Sequence, residues 1–198
     1  MVVKLGGSVA SKVGEILSVL RSLDGDFLIV PGGWVFADLV RRLEVGEEEA
    51  HWMAILAMEQ FGYYVSSFGV EVISPKDFDF DFSGLKVLLP YDLIRNNDEL
   101  PHSWDVTSDS VAVWIASKLG VGEVIKLTNV DGVILNGRLV ERISAKDLVG
   151  RWTCLDPYAP RIMIEHGINT FICNGLFADR VKDYIAKGRA KGTLVMGR

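Results

Sequence analysis

A chain of 198 residues, 49% of them hydrophobic, is long enough to bury a substantial core within one α/β domain spanning residues 1–198. Its formal net charge of −5 excludes the broad basic surface on which non-specific nucleic-acid binding depends, so an anionic ligand has to be captured locally. Two cysteines, Cys154 and Cys173, stand without CxxC spacing and give neither a zinc motif nor a disulfide framework. The absence of a leader-like start and of a membrane-length apolar run leads us to expect a cytoplasmic protein with no membrane partner.

Val2-Val3-Lys4-Leu5 is a short apolar strand running into Gly6-Gly7-Ser8, after which Val13, Ile16, Leu17 and Leu20 follow at helical spacing. Adjacent glycines let backbone N–H groups approach a ligand, a following helix offers its positive end, and Lys4 adds a full charge; the combination suits phosphate. Phe27 to Val30 predicts a strand covered on both faces, ending in a second glycine pair, Gly32-Gly33. Phe36, Leu39, Val40 and Leu43 mark a helix with Arg41 and Arg42 solvated, and Glu47 to Phe61 a long core-facing helix in which His51 reads as surface or packing. Val70 to Ile73 predicts a strand. Asp77 to Phe82 alternates at period two, as an exposed loop or charged edge strand whose carboxylates face water.

Lys86 to Leu89 predicts a further strand, and Asn96-Asn97-Asp98 and Pro101 a loop. Thr107, Ser108 and Asp109 then open a helix carrying Val111, Ala112, Ile115, Ala116 and Leu119. Capping requires one such polar residue, and here there are three in succession plus Asp105. Glu123 to Leu127 is a strand leading to Thr128-Asn129-Val130-Asp131-Gly132 and a hairpin that turns at Asn136-Gly137. A short helix after Asp156, a strand at Thr170 to Cys173, a helix through Phe177, Val181 and Ile185, and a strand-like Gly192 to Val195 complete the chain.

Strands alternating with helices predict a mainly parallel sheet covered on both faces, whose ligands bind beyond the carboxyl ends of the strands. That rule gathers Gly6, Gly7, Ser8, Gly32, Gly33, Lys126, Asn129, Asp131 and Asn174 towards one edge. P-loop, dinucleotide-binding, HExxH and protein-kinase signatures are absent. Glycine turns, two strand lysines and a helix-initiating aspartate suit phosphoryl transfer by positioning and charge neutralisation.

In order, Lys4-Leu5-Gly6-Gly7-Ser8, Val30-Pro31-Gly32-Gly33, Thr107-Ser108-Asp109-Ser110, Leu127 to Gly132 and Gly192-Thr193 resemble the amino-acid kinase superfamily along nearly the whole chain. The resemblance implies a three-layer αβα sandwich and an ATP- and Mg²⁺-dependent kinase of a small-molecule acceptor, with ATP over the C-terminal half and the acceptor over the N-terminal half. It implies Lys4 and Asp109 as catalytic residues, Lys4 neutralising the transferring group and Asp109 orienting it. Gly6, Gly7, Ser8 and Gly33 would hold phosphate, Thr128, Asn129, Asp131 and Gly132 would flank the nucleotide, and Lys126 or Arg161 would be the second phosphate clamp.

Two departures stand out: Trp34 where many members have a third glycine, and Asn129 where aspartate is common. Ser103 to Ser110 is similar to a small archaeal branch serving methanofuran biosynthesis. That likeness implies phosphorylation of an (aminomethyl)furanyl-methyl phosphate to its diphosphate, with Gly32, Thr107 and Ser108 on the acceptor, Trp34 or Trp104 stacking on its ring and Asp105 pairing with its ammonium. An acyl-phosphate-forming kinase and a non-catalytic nucleotide-binding subunit are the alternatives. Wide apolar helix stripes give the expectation of a homo-oligomer.

Overall fold

Short apolar runs become the strands of one sheet. The computed structural model describes residues 1–198. In chain order it has β1 (Val2–Leu5), a 3₁₀ segment (Gly7–Lys12), α1 (Val13–Arg21), β2 (Phe27–Pro31), α2 (Trp34–Val40), α3 (Glu47–Ser66), β3 (Glu71–Ile73), β4 (Leu85–Leu88), α4 (Tyr91–Asn96) and α5 (Ser108–Lys118). There follow β5 (Glu123–Thr128), β6 (Ile134–Leu135), β7 (Arg138–Leu139), β8 (Arg142–Ser144), α6 (Ala159–His166), β9 (Asn169–Asn174), α7 (Asp179–Lys187) and β10 (Thr193–Met196).

Eight strands form the sheet in the order β3-β4-β2-β1-β5-β9-β10-β8, and β6 and β7 make a separate hairpin. Within the large sheet only the β9–β10 pair is antiparallel. The first strand is flanked by β2 on one side and β5 on the other. The chain therefore winds outwards in one direction, returns and winds in the other, which makes the carboxyl ends of β1 and β5 the topological switch point where open α/β sheets bind ligands.

Side chains alternate across the sheet and create two cores. Val2, Leu28, Val30 and Val124 join α5 and α6 on one face, while Val3, Leu5, Ile29 and Ile125 join α1 and α7 on the other. The three-layer α/β architecture expected from the sequence is the one observed. No helix is long and apolar enough to cross a membrane.

Local departures have local causes. Asp77 to Phe82 is a loop whose aspartates are exposed and whose phenylalanines pack on the core, Phe78 edge-on to Trp114 at 5.0 Å. The α4 helix is a two-turn element that the turn-forming Asn96-Asn97-Asp98 conceals. Asn97 Nδ2 donates to the Leu93 carbonyl at 2.8 Å and so satisfies one of the helix's terminal acceptors.

Candidate active site

Alternation along two neighbouring strands sets two lysines side by side. Lys4 on β1 is the register partner of Lys126 on β5, and both point to the face that carries Val2 and Val124. The α5 helix packs against this face, with Asp109 in its first turn. Asp109 Oδ1 lies 2.8 Å from Lys4 Nζ, and Oδ2 accepts a hydrogen bond from Lys126 Nζ. All three side chains are buried. Burial alone would raise the Asp109 carboxyl, but Lys126 and Lys4 overcome it and hold the group below the usual carboxylate range. For Lys4 desolvation prevails, and its pKa is lowered despite Asp109.

A second buried carboxylate organises the first. Asp156 Oδ2 accepts from the Thr107 N–H at 2.8 Å, the Thr107 hydroxyl at 2.8 Å and the Ser110 N–H at 3.0 Å. Its Oδ1 accepts from the Ser110 hydroxyl at 2.7 Å, the Tyr158 N–H at 3.2 Å and the Ala159 N–H at 2.7 Å. One side chain thus satisfies backbone donors at the starts of both α5 and α6. The Asp156 N–H donates in turn to Asp109 Oδ2 at 3.3 Å. Burial and the Asp109 charge push the Asp156 carboxyl up. The sequence reading missed Asp156; its signal was an aspartate three residues ahead of a helix.

Beside this centre lies a cavity of about 490 Å³. It is lined by Lys4, Gly7, Ser8, Gly32, Gly33, Thr107 and Ser108, and further by α2 from Trp34 to Asp38, by Arg41 and Trp104, and by one face of α3. Trp34 has φ 47, the left-handed backbone that glycine adopts freely and a tryptophan resists. A Cβ on Gly7 would lie 2.5 Å from Trp34 Cα, so the two glycine loops touch through their backbones. The Trp34 ring packs on Tyr64 at 4.7 Å and Phe61 at 5.3 Å, making it core and cavity wall at once. Arg41 covers one face of Trp104 at 4.8 Å, and both residues line the cavity. Asp105 is exposed and outside the cavity lining, because the loop turns it to solvent. The structure thus does not bring Asp105 to the cavity with the other expected acceptor residues. The lining carboxylates are Asp38 and Glu47.

Residues 83–174 match the model of the amino acid kinase family. Over 201 aligned positions the chain is 30% identical to the [5-(aminomethyl)furan-3-yl]methyl phosphate kinase of Methanocaldococcus jannaschii, covering 93% of this chain and 92% of that one. The chain belongs to the amino acid kinase family. A uridylate kinase of Pyrococcus abyssi is 35% identical over 106 residues, 45% of this kinase and 47% of that protein. Two solved structures share the fold. The uridylate kinase of Archaeoglobus fulgidus superposes with a TM-score of 0.75 at 22% identity over 98% of this chain and 99% of that one. The UMP kinase of Ureaplasma parvum gives 0.73 at 17% identity over 98% and 97%.

On the other side of the switch point the kinase joins its first glycine loop to the end of β5, with Ser8 Oγ and Thr128 Oγ1 3.4 Å apart. Asn129 is exposed, and its carbonyl accepts from Asn174 Nδ2 at 3.2 Å. Asp131 pairs with Arg180 and Lys191, each at 2.6 Å. The hydrogen bonds from Lys191 and Arg180 hold its carboxyl down at about 2. Arg180 and Lys191 were also missed, since nothing local in the sequence ties them to Asp131. Gly132 packs against Thr193. The expected clamp Arg161 is exposed on α6, 5.8 Å from the Tyr158 ring, and is not brought to Asp109. Lys126 is the second lysine of the centre.

Proposed function

We propose that this kinase transfers the γ-phosphoryl group of ATP to a small anionic acceptor held in the cavity, and that the acceptor is (aminomethyl)furanyl-methyl phosphate, taken to its diphosphate. In this reading residues 1–198 act as one unit, with the acceptor over the N-terminal half and ATP over the C-terminal half. The bond between the γ-phosphorus and the β,γ-bridging oxygen breaks, an acceptor phosphate oxygen takes its place, and ADP leaves.

The observation that carries this reading is the Asp109 carboxylate held between two buried lysines. An aspartate kept ionised so strongly is a poor proton acceptor, and a phosphate oxyanion already has the lone pair it needs. An alcohol acceptor would require a base. Lys4 and Lys126 neutralise charge growing on the transferring group, the N–H groups of Gly7 and Gly33 hold its oxygens, and Asp109 fixes the lysines, while the expected Gly6 N–H is instead spent on the Leu127 carbonyl at 2.9 Å. Thr128, Asn129, Asp131 and Gly132 flank the nucleotide. The homologue from Methanocaldococcus jannaschii supports the choice of acceptor.

Neither central carboxylate fits as a ligand for Mg²⁺. Asp109 is neutralised by Lys4 and Lys126, and Asp156 is filled by its six donors. The ion would travel on the nucleotide phosphates and neutralise them there.

Lys4→Ala should lower phosphotransfer at least about 10³-fold while the fold persists; full activity in that variant would overturn the reading. The product should resist hydroxylamine, whereas hydroxamate formation would reveal an acyl phosphate and a carboxylate acceptor. A homo-oligomer belongs to the same proposal. Exposed Val35, Leu39, Leu56 and Tyr63 on α2 and α3 support it, and light scattering of the intact protein tests it.

A further inference from the structure

A group of ionisable side chains that the phosphoryl chemistry does not use gathers where α3 begins. His102 Nδ1 is hydrogen-bonded to Glu48, and its Nε2 lies 2.8 Å from Asp98 Oδ1, so both nitrogens are engaged. His51 stacks on this ring with centroids 3.8 Å apart and planes at 17°, and meets the Trp52 ring edge-on at 4.8 Å. Its side chain is held from two sides. Yet His51, only 8% exposed, has an Nε2 that is buried with no hydrogen-bond partner. Burial, reinforced by the neighbouring His102, pushes its pKa down to about 4, so the ring is neutral at pH 7.

His51 also belongs to the cavity. Glu47, Ala50, His51, Ala54, Ile55 and Met58 fall on one face of α3 by helical spacing, and all six line the 490 Å³ space. The seven helical steps from Trp34, beside the glycine loops, to Arg41, which follows α2 and lies against Trp104, span about 10 Å. A phosphate, one small ring and a one-carbon arm fill such a length. His51, Asp98 and His102 have donor atoms within 4.8 Å of one another. Two stacked imidazoles nevertheless aim their in-plane lone pairs side by side rather than at a common point, and both His102 nitrogens are already used. The arrangement suits a hydrogen-bonding ligand better than a metal ion.

We propose that His51 is a specificity residue for the acceptor's far end: its unpartnered Nε2 accepts a hydrogen bond from an ammonium N–H of the bound acceptor while Glu47 supplies the countercharge. The inference rests on the cavity being the acceptor site, and it replaces Asp105 by residues that line that cavity. A buried site built to meet an N–H group discriminates against an analogue lacking it, because the polar atom is then left unpaired.

The test is steady-state kinetics of wild type, His51→Leu and His51→Asn with two acceptors, (aminomethyl)furanyl-methyl phosphate and the same compound without its amino group. His51→Leu should raise KM for the amino acceptor about ten-fold or more, leave kcat and the KM for ATP within about two-fold, and barely alter the KM for the des-amino acceptor. His51→Asn, which keeps an acceptor oxygen, should recover part of the loss. Equal effects on both acceptors, a loss confined to kcat, or no effect would overturn the inference while leaving the kinase reading intact. A wild-type enzyme that phosphorylates only UMP or a carboxylate would overturn both. If His51→Leu fails to fold, the imidazole nitrogen NMR signals of the wild type decide. The Nε2 signal of His51 should move with the amino acceptor and stay fixed with its analogue, and the opposite result overturns the assignment.

Discussion

At Asp156, six donors converge on two oxygens, and the consequence reaches the reacting centre through a single peptide. The carboxylate holds the start of α5, which sets Asp109, which in turn holds Lys4 and Lys126. Asn at position 156 has nearly the same shape but only one acceptor oxygen, and its NH₂ would face donors it cannot satisfy. Asp156→Asn should therefore lower the unfolding free energy by about 2–4 kcal/mol, read from urea titrations at pH 7. A change below about 0.5 kcal/mol, the range of ordinary surface substitutions, would show that water or a shifted backbone replaces these bonds. Lys126→Met makes a separate prediction. It leaves Asp109 with Lys4 alone, and removing one partner of a buried ion pair costs about 3–5 kcal/mol. It should also cut phosphotransfer, whereas Arg161→Met, altered at an exposed residue away from Asp109, should change it little.

Among the elements, the connection after β5 is held from the far end of the chain. Thr193, at the start of β10, donates through its hydroxyl to the Val140 carbonyl at 2.6 Å and accepts from the Val133 N–H at 2.9 Å. Gly132 makes room for it, with φ 149 and no space for a Cβ against the Thr193 side chain. Gly132→Ala combines a backbone that L-residues resist with a clash against that fastening. It should cost about 2–4 kcal/mol and raise the KM for ATP more than that for the acceptor; an unchanged melting temperature would contradict this. The sequence made such elements legible in unequal measure. β1, β2 and β5 could be read because a strand buried on both faces is a continuous apolar run, and α3 because its apolar stripe repeats from Ala50 to Phe61, short of the helix's observed end at Ser66. Lys4 and Asp109 could be read from ordered motifs. β10 was read as a strand, but its antiparallel pairing with β9, and β8 beside it, were hidden because the partners lie far away in the chain. Asp156 was hidden because its donors come from separate segments, and His51 because nothing in its own helix reveals that α2 and the Trp104 loop enclose a cavity beside it.

For the molecule as a whole, His51, His102 and Asp131 carry shifted pKa values that define how acid acts on the fold. His51 has a folded pKa of about 4, below its ordinary 6.5. Its neutral burial therefore contributes stability that is fully present above pH 6.5 and is lost as pH falls through about 4. His102 has the opposite sign. Burial opposes its charge, but hydrogen bonds to Asp98 and Glu48 raise its pKa, giving stability present below pH 6.5 and lost as pH rises through the raised value. Asp131, held at about 2 by Lys191 and Arg180, contributes above pH 3.8 and fails only as pH drops towards 2. Between pH 6.5 and 4 the His102 and Asp131 contributions thus stay nearly constant, and the pH dependence in that window is that of His51. Replacing His51 by Leu removes the term that acid erodes and keeps the one that acid favours. In urea unfolding from pH 7 to 4, the wild type should lose stability relative to His51→Leu, with most of the divergence arising below pH 6.5. Parallel curves would mean that the His51 ring protonates as easily in the fold as in the unfolded chain, and that its stack on His102 opens before acid reaches it.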